Sequence, residues 1–277
     1  MALRHAFVLL ACAFALLPIV FVVSAALNPL GTLATAELVP TGASLDNFVN
    51  LFSSDVYPFG RWFLNSVGIA LASAFTSLLL SLMAAYAFSR MRFKGRRIGL
   101  LSLLFIQMFP QFLAIVTIMM IFTRITEFYP AFGFDTVSGL MLLYMGGALG
   151  ANTWLMKGFL DTVPKELDES ATVDGASHGQ IFWRIILPLV TPILAVTGLL
   201  AFIGIINEFI IAGVFLRDPE SKTLAVGMFG MLSGDGRNTN FGMFAVATLI
   251  TAIPTVGVFM WLQRYIVSGL TAGAVKG

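Results

Sequence analysis

Apolar residues fall in long blocks separated by short polar stretches, and six blocks are long enough to cross a bilayer: 6–27, 62–88, 98–123, 137–156, 189–216 and 241–262. A span needs about 20 apolar residues, because roughly 30 Å of hydrocarbon is covered at about 1.5 Å per residue. No water is available there, so each backbone amide must be paired within its own segment, and runs of this length predict helices. Five of the six runs carry no charged residue; Glu208 in the fifth is the exception. The expected fold class is all-α integral membrane, with six transmembrane helices in one domain over 1–277. The polar stretches 28–61, 124–136 and 217–240 are each too short to form a domain alone.

Composition narrows the function. The chain is 58% hydrophobic and 11% charged, against about 45–50% and 25% in soluble domains, which excludes an ordinary soluble enzyme. A net charge of +2 is too small an excess to suggest nucleic acid. Cys12 is the one cysteine, so no internal disulfide forms, and His5 and His178 are too scattered for a Cys/His metal site. No G-x-x-x-x-G-K-[ST] run is present, so this chain has no P-loop for ATP. The first run also admits a signal-peptide reading, since Arg4 precedes it and Ser24-Ala25-Ala26 is of cleavage-site type. Its uncharged length exceeds the usual core of about 7–15 residues, which favours a retained helix.

Cation placement sets the expected orientation. With the N-terminus inside, Arg4, Arg90, Arg92, Lys94, Arg96, Arg97, Lys157, Lys165, Arg184, Arg264 and Lys276 face the cytoplasm. Only Arg61, Arg124, Arg217, Lys222 and Arg237 lie outside. Both termini are therefore expected to be cytoplasmic.

The inside segment 157–188 is long for a helix connection, typically about 2–8 residues in bundles, and has structure signals of its own. Pro164 opens a helix whose first turn carries Glu166, Asp168 and Glu169, where acids favour the dipole. Asp174-Gly175 breaks it, because glycine takes a turn conformation cheaply. Ser177-His178-Gly179-Gln180 has capping-box form and starts a second short helix, with Ile181, Phe182, Ile185 and Ile186 on one side and Leu187-Pro188 expected to end it. Two readings stay open on physical grounds. The amphipathic pair either lies on the bilayer or bundle end, or docks a cytoplasmic partner.

The same residues carry a resemblance. Glu169-Ser170-Ala171, then Asp174-Gly175-Ala176, Phe182, Ile186, Leu187-Pro188 and Pro192 resemble the EAA loop of ABC-importer permeases, with Ser170 where alanine is usual. Ala84-Ala85-Tyr86-Ala87-Phe88-Ser89-Arg90 and the residues to Gly95 are similar to the sugar-importer subset. Gln107-Met108-Phe109-Pro110, Leu216-Arg217-Asp218, Thr223-Leu224-Ala225-Val226-Gly227-Met228 and the tail from Gln263 resemble the second permease subunits of maltose/maltodextrin importers.

The resemblance implies one half of a translocation pathway, paired with a homologous second permease. Two copies of an ABC ATPase carrying ATP and Mg, with no cofactor in this chain, and an extracytoplasmic sugar-binding protein complete the implied assembly. Glu169, Ala171, Asp174, Gly175, Ala176, Ser177, Phe182, Leu187 and Pro188 are the implied ATPase-coupling residues. Ser233, Gly234, Asp235, Asn238 and Asn240 belong to the implied binding-protein loop. Gly273, Val275, Lys276 and Gly277 form a tail implied to meet the ATPases.

Within the runs, Glu208 is an ionisable group in hydrocarbon and so a functional suspect that needs a partner, with Asn207 beside it. Gln107 and Gln111 flank Pro110, where a kink frees carbonyls for polar groups. These four are the pathway candidates. Ser73, Ser77 and Ser81 recur every four residues, a spacing that favours close helix packing. An ion-coupled secondary transporter is the rival function; it would need coupled ionisable groups near midplane, and only Glu208 is available. Intramembrane proteolysis needs His or paired Asp within the runs, which contain neither.

Overall fold

The computed structural model describes residues 2–33, 38–40, 42–147, 149–233 and 236–274, with the side chains of 2–3, 111–112, 236–237 and 267–274 outside the description. Its helices, in chain order, begin with α1 (Ala2–Leu27), α2 (Asp46–Ser53), α3 (Phe59–Arg90) and α4 (Arg96–Met108). A 3-10 turn (Gln111–Ala114) leads into α5 (Ile115–Phe128), and another (Pro130–Phe132) precedes α6 (Val137–Gly146) and α7 (Ala151–Thr162). Next come α8 (Glu166–Val173), α9 (His178–Ile181), a π-helical turn (Phe182–Ile186), α10 (Leu187–Ile206) and α11 (Ile210–Phe215). The chain closes with α12 (Leu224–Met231), α13 (Gly236–Thr239) and α14 (Phe241–Ala274). No strand occurs among the described residues.

Among the described residues, four helical stretches are by themselves long and apolar enough to cross a membrane: Arg4–Leu27, Phe59–Arg90, His178–Ile206 and Phe241–Ile266. Three of the expected continuous runs are instead broken. Run 98–123 parts at Phe109-Pro110, where proline has no N–H to donate and forces its predecessor out of the helical region; Phe109 sits at φ −75°, ψ 125°. Run 137–156 parts between Gly146 and Ala151, in a stretch containing Gly147 and Gly150. Glycine carries the largest entropic cost of staying helical. In run 189–216 the helix stops at Ile206 and restarts at Ile210.

One expected stop is absent. The helix does not end at Leu187-Pro188 but runs on from His178 to Ile206. Pro188 falls in the first turn of α10, directly after the π turn. The wider i→i+5 ladder there absorbs the missing donor and the ring's bulk, so proline leaves the helix intact.

The chain divides into two compact units, Met1–Ser66 with Arg217–Thr255, and Val67–Leu216 with Val256–Gly277. In the first, polar stretches too short to fold alone share a core of Ala25, Ala26, Leu51, Phe59, Trp62, Leu224, Met231 and Val246. Trp62 Nε1 donates to the Pro219 carbonyl at 2.7 Å, and the Leu224 amide donates to Ser66 Oγ at 2.7 Å. Asn47 Nδ2 donates to the carbonyls of Ala26 and Asn28 at 3.0 and 2.8 Å, closing the turn after α1. Gly31 in that turn has φ +61°, which favours glycine. Gly227 must also lack a side chain, because a Cβ there would overlap the Trp62 ring. The apolar residues of α1 from Phe7 to Val20 stay largely uncovered within the chain, as lipid-facing residues do.

The second unit holds the candidate site. The serine stripe of α3 is buried, with Ser73 and Ser81 wholly inaccessible and Ser77 nearly so. Phe122 of α5 packs edge-on to Phe215 of α11 at 5.0 Å, and Trp154 of α7 donates to the Leu100 carbonyl of α4 at 3.0 Å.

Candidate coupling hairpin and pathway residues

The segment between α7 and α10 forms a corner with one packed and one open face. Acids at Glu166, Asp168 and Glu169 fill the first turn of α8, where the unpaired N–H groups favour negative charge. The helix ends because Gly175, at φ +84°, turns the chain into the left-handed region. The Ala176 amide then bonds the Ala171 carbonyl at 2.9 Å and closes the turn. Ser177 caps α9 through a reciprocal pair: the Gln180 amide donates to Ser177 Oγ at 3.3 Å, and the Ser177 amide donates to Gln180 Oε1 at 2.8 Å.

On the packed face, Ala171, Ile181, Phe182 and Ile186 are buried with Leu82, Ala85 and Tyr86 of α3 and Met156 and Leu160 of α7; Ala176, Ile185 and Leu187 pack around them. The Phe182 ring meets Tyr86 edge-on at 5.2 Å. The sequence-predicted coupling residues thus separate by role. Ala171, Ala176, Phe182 and Leu187 hold the corner to the bundle, while Glu169, Asp174, Gly175, Ser177 and Pro188 are exposed. Val173, one turn beyond Glu169 on the same face, is 88% exposed, an apolar knob on a polar corner.

Three contacts that clamp this corner lie beyond the reach of sequence patterns. Arg90, the last residue of α3, forms an ion pair with Asp168 of α8 at 2.7 Å, with side-chain exposures of only 7% and 17%. Arg90 Nη2 also donates to the Val163 carbonyl at 2.8 Å. Ser89 Oγ donates to Asp161 Oδ1 at 2.7 Å, and Lys157 bridges the other oxygen. Partial burial disfavours charge on Asp161. The bonds from Lys157 and Ser89, with the charges of Lys157 and Arg96, outweigh that and hold its carboxyl below the ordinary range.

Of the pathway candidates, Glu208 is held on three sides. Its carboxylate accepts from Tyr144 Oη at 2.6 Å and from the amides of Ile211 and Ala212 at 2.8 Å each, so it caps the restart of the chain as α11. Asn207 is exposed and donates to the Ile203 carbonyl at 2.8 Å, within its own helix. Gln107 lies across Gly150, where a Cβ would collide with its amide. The side chain of Gln111 lies outside the described residues.

Glu208→Ala leaves two amides at the start of α11 without their acceptor. It is expected to cost about 1–3 kcal/mol for each buried group left unpaired. Glu208→Gln, which keeps a carbonyl oxygen, is expected to lose much less. Thermal unfolding of the purified variants in detergent measures the difference.

The implied binding-protein loop is only partly described. Gly234 and Asp235 lie outside the described residues. Ser233 Oγ donates to the Phe229 carbonyl at 3.0 Å, Asn238 is exposed, and Asn240 is an anchor rather than a free tip. Its Nδ2 donates to Tyr57 Oη at 2.9 Å and to the Met231 carbonyl at 3.2 Å. In the tail, Gly273 continues the backbone of α14, and Val275, Lys276 and Gly277 lie outside the described residues.

A helical membrane chain that carries a two-faced corner and a hydrogen-bonded carboxylate within an apolar run has the form of a transport permease. Residues 77–272 match the family described as binding-protein-dependent transport system inner membrane component, and the chain belongs to that family. The galactooligosaccharides transport system permease protein GanQ of Bacillus subtilis (strain 168) is 39% identical over 261 residues, 94% of this chain and 90% of the relative. The maltose/maltodextrin transport system permease protein MalG of Escherichia coli (strain K12) is 38% identical over 286 residues, 99% of this chain and 95% of the relative. A bacterial ABC transporter involved in the import of the acidic polysaccharide alginate has a chain with TM-score 0.79 at 21% identity, covering 95% of both chains, a likeness of fold.

Proposed function

We propose that this chain is one membrane half of an ATP-driven, binding-protein-dependent importer of oligosaccharides in a bacterial inner membrane, with both termini cytoplasmic. The observation that carries the reading is the two-faced corner over 166–186. One face is locked to α3 and α7, and the other offers Glu169, Val173 and Gly175 outward. A rigid corner of this kind is something a motor subunit can grip and push. The relatives' substrates, maltose/maltodextrin and galactooligosaccharides, support neutral oligosaccharides as the class carried here.

In this reading the chain crosses the membrane six times, through α1, α3, α4 with α5, α6 with α7, α10 with α11, and α14. Breaks bend three of the crossings without ending them. ATP and Mg reside on two copies of a partner ATPase, consistent with the lack of a P-loop here. A homologous second permease completes the pathway, and an extracytoplasmic sugar-binding protein docks at the 217–240 loop. Closure of the ATPase pair moves the corners of the two permeases together and turns the pathway outward, a rigid-body switch driven through a docked element. The tail from Gly273 to Gly277 lies against the ATPases.

Proteoliposomes holding this chain with its companion permease and ATPase are expected to take up sugar only with both ATP and the binding protein. Uptake by this chain alone under a proton gradient would overturn the reading in favour of an ion-coupled transporter.

A further inference from the structure

Three helix breaks border one cleft in the second unit. Its volume is about 680 Å³, and its lining includes Phe109 at the first break, Gly147 and Gly150 at the second, and Ile205 and Ile211 on either side of the third. Four polar side chains line it as well: Ser77, Gln107, Tyr144 and Asn152. At each break the backbone loses helical partners. Within a membrane such groups are tolerated only where protein buries them or where they line a water-filled cavity. Three breaks and four polar side chains around one space therefore exclude a lipid-facing groove and leave a space that protein covers or water fills. Its size falls in the range of about 300–1,000 Å³ typical of small-molecule sites.

The polar groups have the right chemistry for a neutral sugar. Sugar hydroxyls both donate and accept, and so do the amides of Gln107 and Asn152. The Tyr144 hydroxyl donates its hydrogen bond to Glu208 Oε2 at 2.6 Å, which leaves the phenolic oxygen's lone pairs free to accept. Gly150 leaves room for the Gln107 amide, since any side chain there would displace it. Phe109, 57% exposed, supplies an apolar ring face of the kind that stacks on the C–H face of a pyranose.

We propose that this cleft is a sugar subsite within this subunit, where Gln107, Tyr144 and Asn152 hydrogen-bond one hexose of the passing oligosaccharide beside the Phe109 ring. The inference rests on the sugar-importer reading and adds to it that this half of the pathway itself holds substrate. Glu208 then acts as a positioning residue, fixing the Tyr144 hydroxyl.

The test uses the full importer in proteoliposomes with Cys12→Ser as background and Asn152→Cys or Gln107→Cys added. The probe is a charged, water-soluble methanethiosulfonate, and the sugars are maltotriose and β-1,4-galactobiose. Both cysteines are expected to react. A transported sugar at ten times its dissociation constant is expected to slow labelling about tenfold by simple occupancy, and a sugar that is not transported is expected to leave the rate unchanged. Adding Phe109→Ala to Asn152→Cys is expected to weaken that protection, which a change of conformation alone would not do. Unreactive cysteines, or equal rates with and without sugar in a complex that still transports, would overturn the subsite and leave the importer reading standing. If the unmodified complex took up neither these sugars nor other oligosaccharides, the importer reading would fall, and the subsite with it.

Discussion

Arg90→Ala is expected to reduce sugar uptake at least tenfold while the chain still inserts. Arg90 and Asp168 meet at 2.7 Å and are largely withdrawn from solvent, and Asp168 Oδ1 already lacks a hydrogen-bond partner. Removing the guanidinium strands a carboxylate against the end of α3. Breaking a buried pair from one side costs about 3–5 kcal/mol, enough to lift α8 away from the bundle. That loosens the corner that must transmit force, and about 1.4 kcal/mol is already a tenfold change in an equilibrium. The double variant Arg90→Leu/Asp168→Leu separates charge from shape. Replacing both partners with apolar groups is often close to neutral, so it is expected to recover much of the uptake lost by the single variant. Uptake assays on the single and double variants, with protease sensitivity of the 164–177 segment, measure the effect. Unchanged uptake in Arg90→Ala would show that the clamp is not part of coupling.

The second large effect is expected at the exposed corner. Glu169→Lys and Gly175→Val should each abolish uptake and the ATPase stimulation that accompanies it, with the membrane helices inserted as before. Glu169 is exposed, and reversing its charge in the first turn of α8 costs about 0.3–1 kcal/mol through the helix dipole, too little to unfold the bundle. A loss of transport in Glu169→Lys therefore reports a partner and not the fold. Gly175 differs. Its φ of +84° is the constraint, while the space around a Cβ there is open. Left-handed backbone costs a non-glycine residue about 1–2 kcal/mol, and a β-branched side chain tolerates it least. Gly175→Ala should accordingly keep part of the activity that Gly175→Val loses. Normal uptake and normal ATPase stimulation in both Glu169→Lys and Gly175→Val would remove the docking role of this corner.

The pattern of apolar blocks was enough to place the chain in a bilayer and to make it helical, because that requirement acts locally: each amide must bond within its own turn. The corner was legible for the same reason. The acids of the first turn, Asp174-Gly175 and the Ser177–Gln180 cap all act over three or four residues, and each does so in the structure, whereas Pro164 lies one residue before the N-cap Lys165, outside the first turn. The resemblance of the 169–192 stretch to importer permeases added the function that periodicity could not supply.

Other features came only from tertiary structure. Glycines at 146, 147 and 150 were visible in the sequence, yet whether they bend a span or merely soften it depends on what lies against them, here the Gln107 side chain. Pro188 reads as a stop and is not one, because a π turn upstream accommodates it. The partners that decide mechanism, Arg90 with Asp168, Ser89 with Asp161, and Tyr144 with Glu208, are separated by 64 to 78 positions in the chain. Hydropathy and helix propensity are sums over neighbours and carry no information about which distant groups meet. That is settled by packing, where a buried charge or an orphaned amide must find its complement or remain destabilising.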